Sequence, residues 1–322
     1  MTPVRLLHPP RPIHRRPHIG RERVVVAGHH GEILQGIFED ADGSVHRGLV
    51  TLRCPLFVSR ASFVVDATVL RDADGRHRVS VRPATKRKAL RAARLALEHL
   101  GCDVGGALTI ETNAFEGWGL GSSTSDVTAA IVAVGRTFGA DIAAAEVARI
   151  AVEAEGAADS LMFDGDALLF AHREGRVLER FDKALPPLAV LGLNPAPHVP
   201  GVDTLQLAPA PYPPDDVLVF EDLRTRLRKA IEAQDAGWLG EVATESAVIN
   251  QRYLPVPYFD ALLGIARSSG AVGIQVAHSG RVVGILFDAR GAECSDAMAR
   301  AERALTDAVP GHLRWQFDTE EP

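Results

Sequence analysis

Residues 117–126 read Gly117-Trp118-Gly119-Leu120-Gly121-Ser122-Ser123-Thr124-Ser125-Asp126, three glycines and four hydroxyls between a strand-like segment and a long apolar one. Glycine has no Cβ, so such a loop can turn its N–H groups toward an oxyanion, and a helix that follows adds unpaired amides and about half a positive charge at its N-terminus. The hydroxyls of Ser122, Ser123 and Thr124 can cap that helix, donate to a phosphate or ligate magnesium. The stretch therefore reads as a phosphate-binding loop. It has no Gly-Lys pair, which disfavours a Walker loop, and the next acid at a suitable distance, Asp141, opens a helix instead of closing a strand, which disfavours a dinucleotide fingerprint. The serine-hydrolase pattern GxSxG is also absent.

Working outward, Ala107–Thr112 reads as the preceding strand, with Leu108 and Ile110 on one face, and an apolar helix runs from about Ser123 to Phe138. A second helix follows from Asp141. Upstream, Lys86–Leu100 places Leu90, Ala93, Leu97 and Leu100 on one helical face, with Gly101 as its stop. Val24–Ala27 is a short strand expected to run into a loop, Gly28-His29-His30-Gly31-Glu32-Ile33-Leu34-Gln35-Gly36, and residues 51–66 and 77–82 alternate as antiparallel strands do. Downstream, strands are expected at 166–171 and 188–193, then a Pro-rich connection over 195–214, helices over 216–234 and 236–251 and a shorter one before Ser268. Strands at 271–277 and 282–287 flank the turn His278-Ser279-Gly280-Arg281, and a closing helix spans 294–307. Mixed strands and helices without regular alternation read as α+β.

The chain has 322 residues, room for one large or two modest domains, and three cysteines with no CxxC pair, which argues for a reducing compartment. Residues 1–23 hold six Arg and one Glu, so a basic leader precedes an acidic body, and aromatics make up only 6%. A nucleic-acid partner is not expected. No apolar run approaches the ~18 residues that cross a bilayer, and the opening lacks the apolar core of a signal peptide, so a cytoplasmic protein with no membrane partner is expected. A homodimer stays open, because the sequence does not fix the oligomeric state.

The core Gly119-Leu120-Gly121-Ser122-Ser123 resembles the PxxxGLGSSA motif of the GHMP kinases, with Asn113 near the family's proline and Thr124 in place of its alanine. In place of the family's early lysine-bearing motif stands Gly28–Gly36, with Glu32 where the lysine would fall, and in place of the late glycine cluster stands Gln275-Val276-Ala277-His278-Ser279-Gly280. That pairing is similar to the L-threonine kinase branch, which makes O-phospho-L-threonine for cobalamin synthesis. The resemblance implies a two-domain fold: a leader over 1–22, an N-terminal ribosomal-protein-S5-domain-2-like ATP-binding domain over 23–185 and a C-terminal ferredoxin-like domain over 186–322. It implies ATP as co-substrate and Mg2+, with Gly117, Gly119, Leu120, Gly121, Ser122, Ser123 and Thr124 on the nucleotide. Ser123 and one of Glu153 or Glu155, with Glu155 preferred, would hold the metal. Asp159, preceded by small residues, is the expected base for a small-molecule hydroxyl. Glu32 and Gln35 are candidate contacts for the ammonium and carboxylate of an amino acid, and His278 and Ser279 would close that end. A zinc site from His29, His30 and His278 with Glu32 is disfavoured, since adjacent histidines do not readily chelate one ion. The competing readings are a kinase for a sugar, a cyclitol or a secondary-metabolite intermediate, and a nucleotide-binding regulator without catalysis.

Overall fold

The computed structural model describes residues 23–40, 42–66, 75–163, 165, 167–199, 210–213, 215–278 and 280–319. The leader, half of the Pro-rich connection and Ser279 lie outside them. The described chain runs β1 (Val24–Glu39), β2 (Val45–Asp66), β3 (Val79–Arg82), α1 (Arg87–His99), β4 (Gly105–Thr112), α2 (Ser122–Thr137), α3 (Ala144–Glu155), β5 (Leu168–Ala171), β6 (Arg176–Arg180) and β7 (Leu188–Asn194). It continues through α4 (Asp215–Ala233), α5 (Ala236–Asn250), α6 (Phe259–Ser269), β8 (Gly273–Val276), β9 (Val283–Asp288), α7 (Cys294–Ala308) and β10 (Leu313–Asp318). The sheet order is β10-β7-β9-β8-β1-β2-β4-β3, with β5 and β6 branching from β2. No helix among the described residues is long and apolar enough to cross a membrane.

The stretch expected to leave β1 as a loop is strand. Residues 28–36 stay paired to β2, with register shifts after Ala27, between His29 and Glu32 and between Glu32 and Leu34. Because His29, His30 and Glu32 are buried, their backbone groups would be costly without partners, and bulges keep the ladder while re-aiming the side chains. One register pair, Glu32 with Val276, joins β1 to β8.

Strand β2 alternates across its second half, burying Phe57, Ser59, Ala61 and Phe63, and its mate β4 buries Leu108 and Ile110. Against that face lies α2, buried nearly all round because Ala129, Ala130, Ala133 and Val134 are small enough for α1 and α3 to close over it. Its neighbour α1 buries Ala89, Ala92, Ala93, Ala96 and Leu97, so that of the expected face Ala93 and Leu97 are fully buried and Leu90 and Leu100 are partly buried against the same core. Alanines face α2 because close helix approach leaves no room for larger side chains. A second core packs β7, β8 and β9 against α6 and α7, and a third seats α4 and α5 on β1 through Phe38, Phe220 and Leu239. The sequence reading missed β6 and β10, although Leu313, Trp315 and Phe317 alternate along β10.

Candidate active site

Gly121 precedes α2 in a left-handed conformation, φ 68°, that only glycine adopts without strain, and no side chain caps the helix. The first intrahelical bond runs from the Ser125 N–H to the Gly121 carbonyl at 2.9 Å, which leaves the amides before it as the helix's open donors. The turn before β9 covers this loop: a Cβ at Gly119 would sit 2.5 Å from the Ala277 Cβ, and one at Gly280 2.0 Å from the Trp118 carbonyl oxygen. Leu120 anchors the loop in the core, and its carbonyl accepts the His29 N–H at 3.2 Å.

Beside the loop opens a cleft of about 380 Å³ between the starts of α1 and α2, lined by residues 85–89, Glu116, Gly117, Ser122, Ser123 and Asp126. Lys86 bridges Glu116 at 2.6 Å and Asp126 at 2.7 Å, while Lys88 is half exposed with its Nζ 3.7 Å from Glu155. The sequence reading passed over these cations. A signal was present, because Lys86-Arg87-Lys88 opens a helix whose first turn carries no acid, against the sense of the helix dipole.

On the other side of the α2 N-terminus, Glu155 closes α3. Its carboxylate accepts from the Ser123 hydroxyl at 2.5 Å and from the Thr124 hydroxyl at 3.0 Å. Glu153 instead turns outward to Arg149 at 3.0 Å. Burial lifts Glu155 to about 7, outweighing the bond from Ser123 and the charge of Lys88 that act the other way. A buried carboxylate paired with a hydroxyl next to a phosphate-binding helix end suits a hard, oxygen-preferring cation, so Ser123 and Glu155 fit Mg2+.

An acid whose pKa is higher folded than unfolded binds an extra proton in the native state between the two values. Its stabilising effect is complete below about 4.5 and is lost as pH rises through about 7. Without nucleotide, raising the pH from about 5 to about 8 should cost wild type on the order of 3 kcal/mol more than it costs Glu155→Gln. Urea unfolding at the two pH values measures the difference, and parallel profiles would show that Glu155 is not strained in this way.

Four residues past Glu155, Asp159 is held by its own N–H to the Thr124 hydroxyl at 3.4 Å. Its Oδ2 lies 3.0 Å from His29 Nε2, and His29 Nδ1 accepts the Gly31 N–H at 3.0 Å. The proton on the neutral ring is therefore on Nε2, donated to Asp159. Burial opposes charge on His29, but the Asp159 charge and hydrogen bond, with Glu32, lift it to about 9; taking that second proton means displacing the Gly31 amide from Nδ1. Burial likewise opposes ionisation of Asp159, but the charge and hydrogen bond of His29, with the charge of His278, hold it well below the usual carboxylate range.

Beyond His29, Glu32 Oε1 lies 2.8 Å from His278 Nδ1, and the Glu32 bond and charge raise His278 against its burial. His172 packs on His278 with ring centroids 5.4 Å apart, and burial pushes it down to about 3, so it is a neutral imidazole. One donor atom each of His29, Glu32 and Asp159 lie within 4.8 Å of one another. His30 faces the opposite side, against Trp315 and Gln275. Gln35 lays its amide on the Val276 carbonyl at 3.4 Å. The structure thus gathers Gly117–Thr124, Glu155, Asp159, Glu32 and His278 around one helix end, and it adds His29, Lys86 and Lys88. Sequence alone gives His29 no role beyond the disfavoured zinc site, because its partner Asp159 is 130 residues away in the chain.

Comparison with known proteins bears on the family and the fold. Residues 87–165 match the model of the GHMP kinases N terminal domain, and residues 227–304 that of the GHMP kinases C terminal. The chain is 29% identical over 193 residues to an L-threonine kinase of Salmonella typhimurium, covering 60% of this chain and 63% of the relative. It is 29% identical over 170 residues to one of Citrobacter freundii, covering 53% and 58%. The match thus spans less than two thirds of these relatives' length. Among solved structures, a homoserine kinase from Cytophaga hutchinsonii superposes with a TM-score of 0.62 at 14% identity, over 94% of this chain and 95% of that one. The two-domain fold implied by the motif resemblance is the fold of these neighbours.

Proposed function

Because this chain belongs to the GHMP kinases, we propose that it is a magnesium-dependent ATP kinase acting on the side-chain hydroxyl of a small amino acid, L-threonine, to give O-phospho-L-threonine. The observation that carries this reading is the arrangement around the first turn of α2, where open amides, the Ser123–Glu155 pair and the buried Asp159–His29 pair meet. The triphosphate would lie along Gly117–Thr124, its charge met by the amides, the helix dipole, Lys86 and Lys88. Magnesium held by Ser123 and Glu155 would supply charge neutralisation on the phosphates.

Asp159 accepts a hydrogen bond from the substrate hydroxyl and aims its oxygen at the γ-phosphorus. As the new P–O bond forms and the bond to the β-phosphate oxygen breaks, ADP leaves and the hydroxyl proton passes to the Asp159 carboxylate. A carboxylate of low basicity suits a loose transfer in which the proton moves late. The His29 Nε2–H holds that carboxylate in place throughout. The three free cysteines fit a reducing cytoplasm, and the product is the compound required for the aminopropanol arm of cobalamin.

ADP release followed with MgATP and L-threonine, L-serine, L-homoserine and a set of sugars and cyclitols tests the reading. Stimulation by L-threonine is expected. Stimulation by a sugar or cyclitol alone would move the enzyme to the alternative substrate class, and ATP binding with no stimulation by any would make it a regulator.

A further inference from the structure

The turn that carries Asp159 is held from outside. Between α3, which ends at Glu155, and β5, which opens at Leu168, the described residues form turns and bends with neither helix nor strand. The Ala158 N–H donates to the His172 carbonyl at 2.8 Å and the Asp159 N–H to the Thr124 hydroxyl at 3.4 Å. A further hold comes from a side chain that the mechanism above does not use: Arg53 Nη2 donates to the Leu161 carbonyl at 2.5 Å, over a separation of 108 residues. Arg53 lies on β2, and its register partner on β1 is His29. Partners in an antiparallel ladder turn their side chains to the same face of the sheet. Two neighbouring side chains therefore reach one turn, His29 at the Asp159 carboxylate, 3.0 Å away, and Arg53 at the carbonyl two residues on.

From this juxtaposition, and resting on the kinase reading above, we propose that Arg53 is a positioning residue for phosphoryl transfer, fixing the turn after Asp159 so that the carboxylate stays aimed at the substrate hydroxyl. The His29 hydrogen bond at one carboxylate oxygen leaves the residue free to pivot about that contact. A second hold on the backbone two residues on stops the pivot, and a partly buried guanidinium, planar and always charged, fixes direction better than an ammonium does. A catalytic group displaced by about 1 Å can lose roughly 100-fold in rate, so the hold acts on the chemical step. Burial and the charges of His29 and His278 set the ionisation of Asp159, and the part of Arg53 is geometric. Nucleotide binding is separate from it, because the phosphate contacts belong to the loop before α2 and to the Ser123–Glu155 pair.

The test is a double-mutant cycle on the full chain. Single-turnover transfer from MgATP to L-threonine, or to whichever acceptor the ADP-release screen selects, is measured for wild type, Arg53→Ala, Asp159→Asn and the double variant, beside equilibrium binding of a non-hydrolysable ATP analogue. Arg53→Ala is expected to slow transfer roughly 10- to 100-fold with analogue affinity within about threefold. In the Asp159→Asn background the same change should slow it less than about threefold, because a base that is gone cannot be misaimed. Ethylguanidinium should restore part of the lost rate to Arg53→Ala and none to the double variant. Should Arg53→Ala fail to fold, Arg53→Lys in the two Asp159 backgrounds gives the same comparison, with a smaller loss expected because one donor remains. Equal slowing in both backgrounds, analogue affinity that falls in step with the rate, or an unchanged rate in folded Arg53→Ala would each overturn the proposal and leave the kinase reading standing. No transfer by wild type to any hydroxylated compound would remove both.

Discussion

Asp159→Asn is expected to lower kcat roughly 100- to 10,000-fold while affinity for an ATP analogue stays within about threefold. The amide preserves size and can still meet the Thr124 hydroxyl through the residue's unchanged N–H. It loses the negative charge that His29 Nε2–H faces at 3.0 Å and the only atom in that position able to take the substrate proton. The triphosphate contacts would be untouched, since they belong to the loop and to the Ser123–Glu155 pair. Single-turnover phosphoryl transfer, compared with equilibrium binding of the analogue, separates the two effects. Unchanged single-turnover rates would show that Asp159 neither positions the hydroxyl nor receives its proton.

Gly121→Ala is expected to reduce kcat/KM for ATP roughly 100-fold or more, a loss of the size seen when a preorganised donor is removed from an anion site. The backbone at Gly121 is left-handed, and a Cβ there would lie 2.3 Å from His29 Cδ2 and 2.9 Å from His29 Nε2. One methyl group therefore strains the turn that presents the α2 amides and pushes His29 off Asp159. Gly139→Ala is the control. That residue also has positive φ, 61°, but a Cβ there meets nothing within 4 Å, so only backbone strain of about 1 kcal/mol is expected, with kcat intact. Equal loss of activity in both variants, tracking their melting temperatures, would mean that Gly121 serves folding alone.

Local rules made the α2 region legible in the sequence. Glycine density followed by hydroxyls and an apolar run predicts a loop feeding a helix, and the helix begins at Ser122, within one residue of the expected start. The strands β4 and β7 to β9 and helices α4 to α7 were readable from their periodicity in the same way. What escaped depends on partners distant in the chain. The stretch 28–36 reads as a loop because its glycines and histidines break the alternation, yet pairing with β2 and the burial of Glu32 against β8 hold it as a bulged strand. Nothing near His29 in sequence announces Asp159, whereas the meeting of Glu32 with His278, 246 residues on, is expected only through the family resemblance that puts both segments at one end of the site. Both contacts arise where β1 passes between the α2 N-terminus and the turn before β9. The expected face of α1 is partly right: Ala93 and Leu97 are buried and Leu90 and Leu100 pack at its margin, while Ala89, Ala92 and Ala96 extend the buried face beyond what the leucines mark.

The most direct test is a crystal structure of the protein with a non-hydrolysable ATP analogue, Mg2+ and L-threonine. The phosphates are expected against the amides of residues 119–124, the metal at Ser123 and Glu155, the threonine hydroxyl within hydrogen-bond reach of Asp159 and its ammonium on Glu32. A triphosphate bound away from the start of α2, or a first turn of α2 closed by its own side chains with no phosphate upon it, would contradict the account.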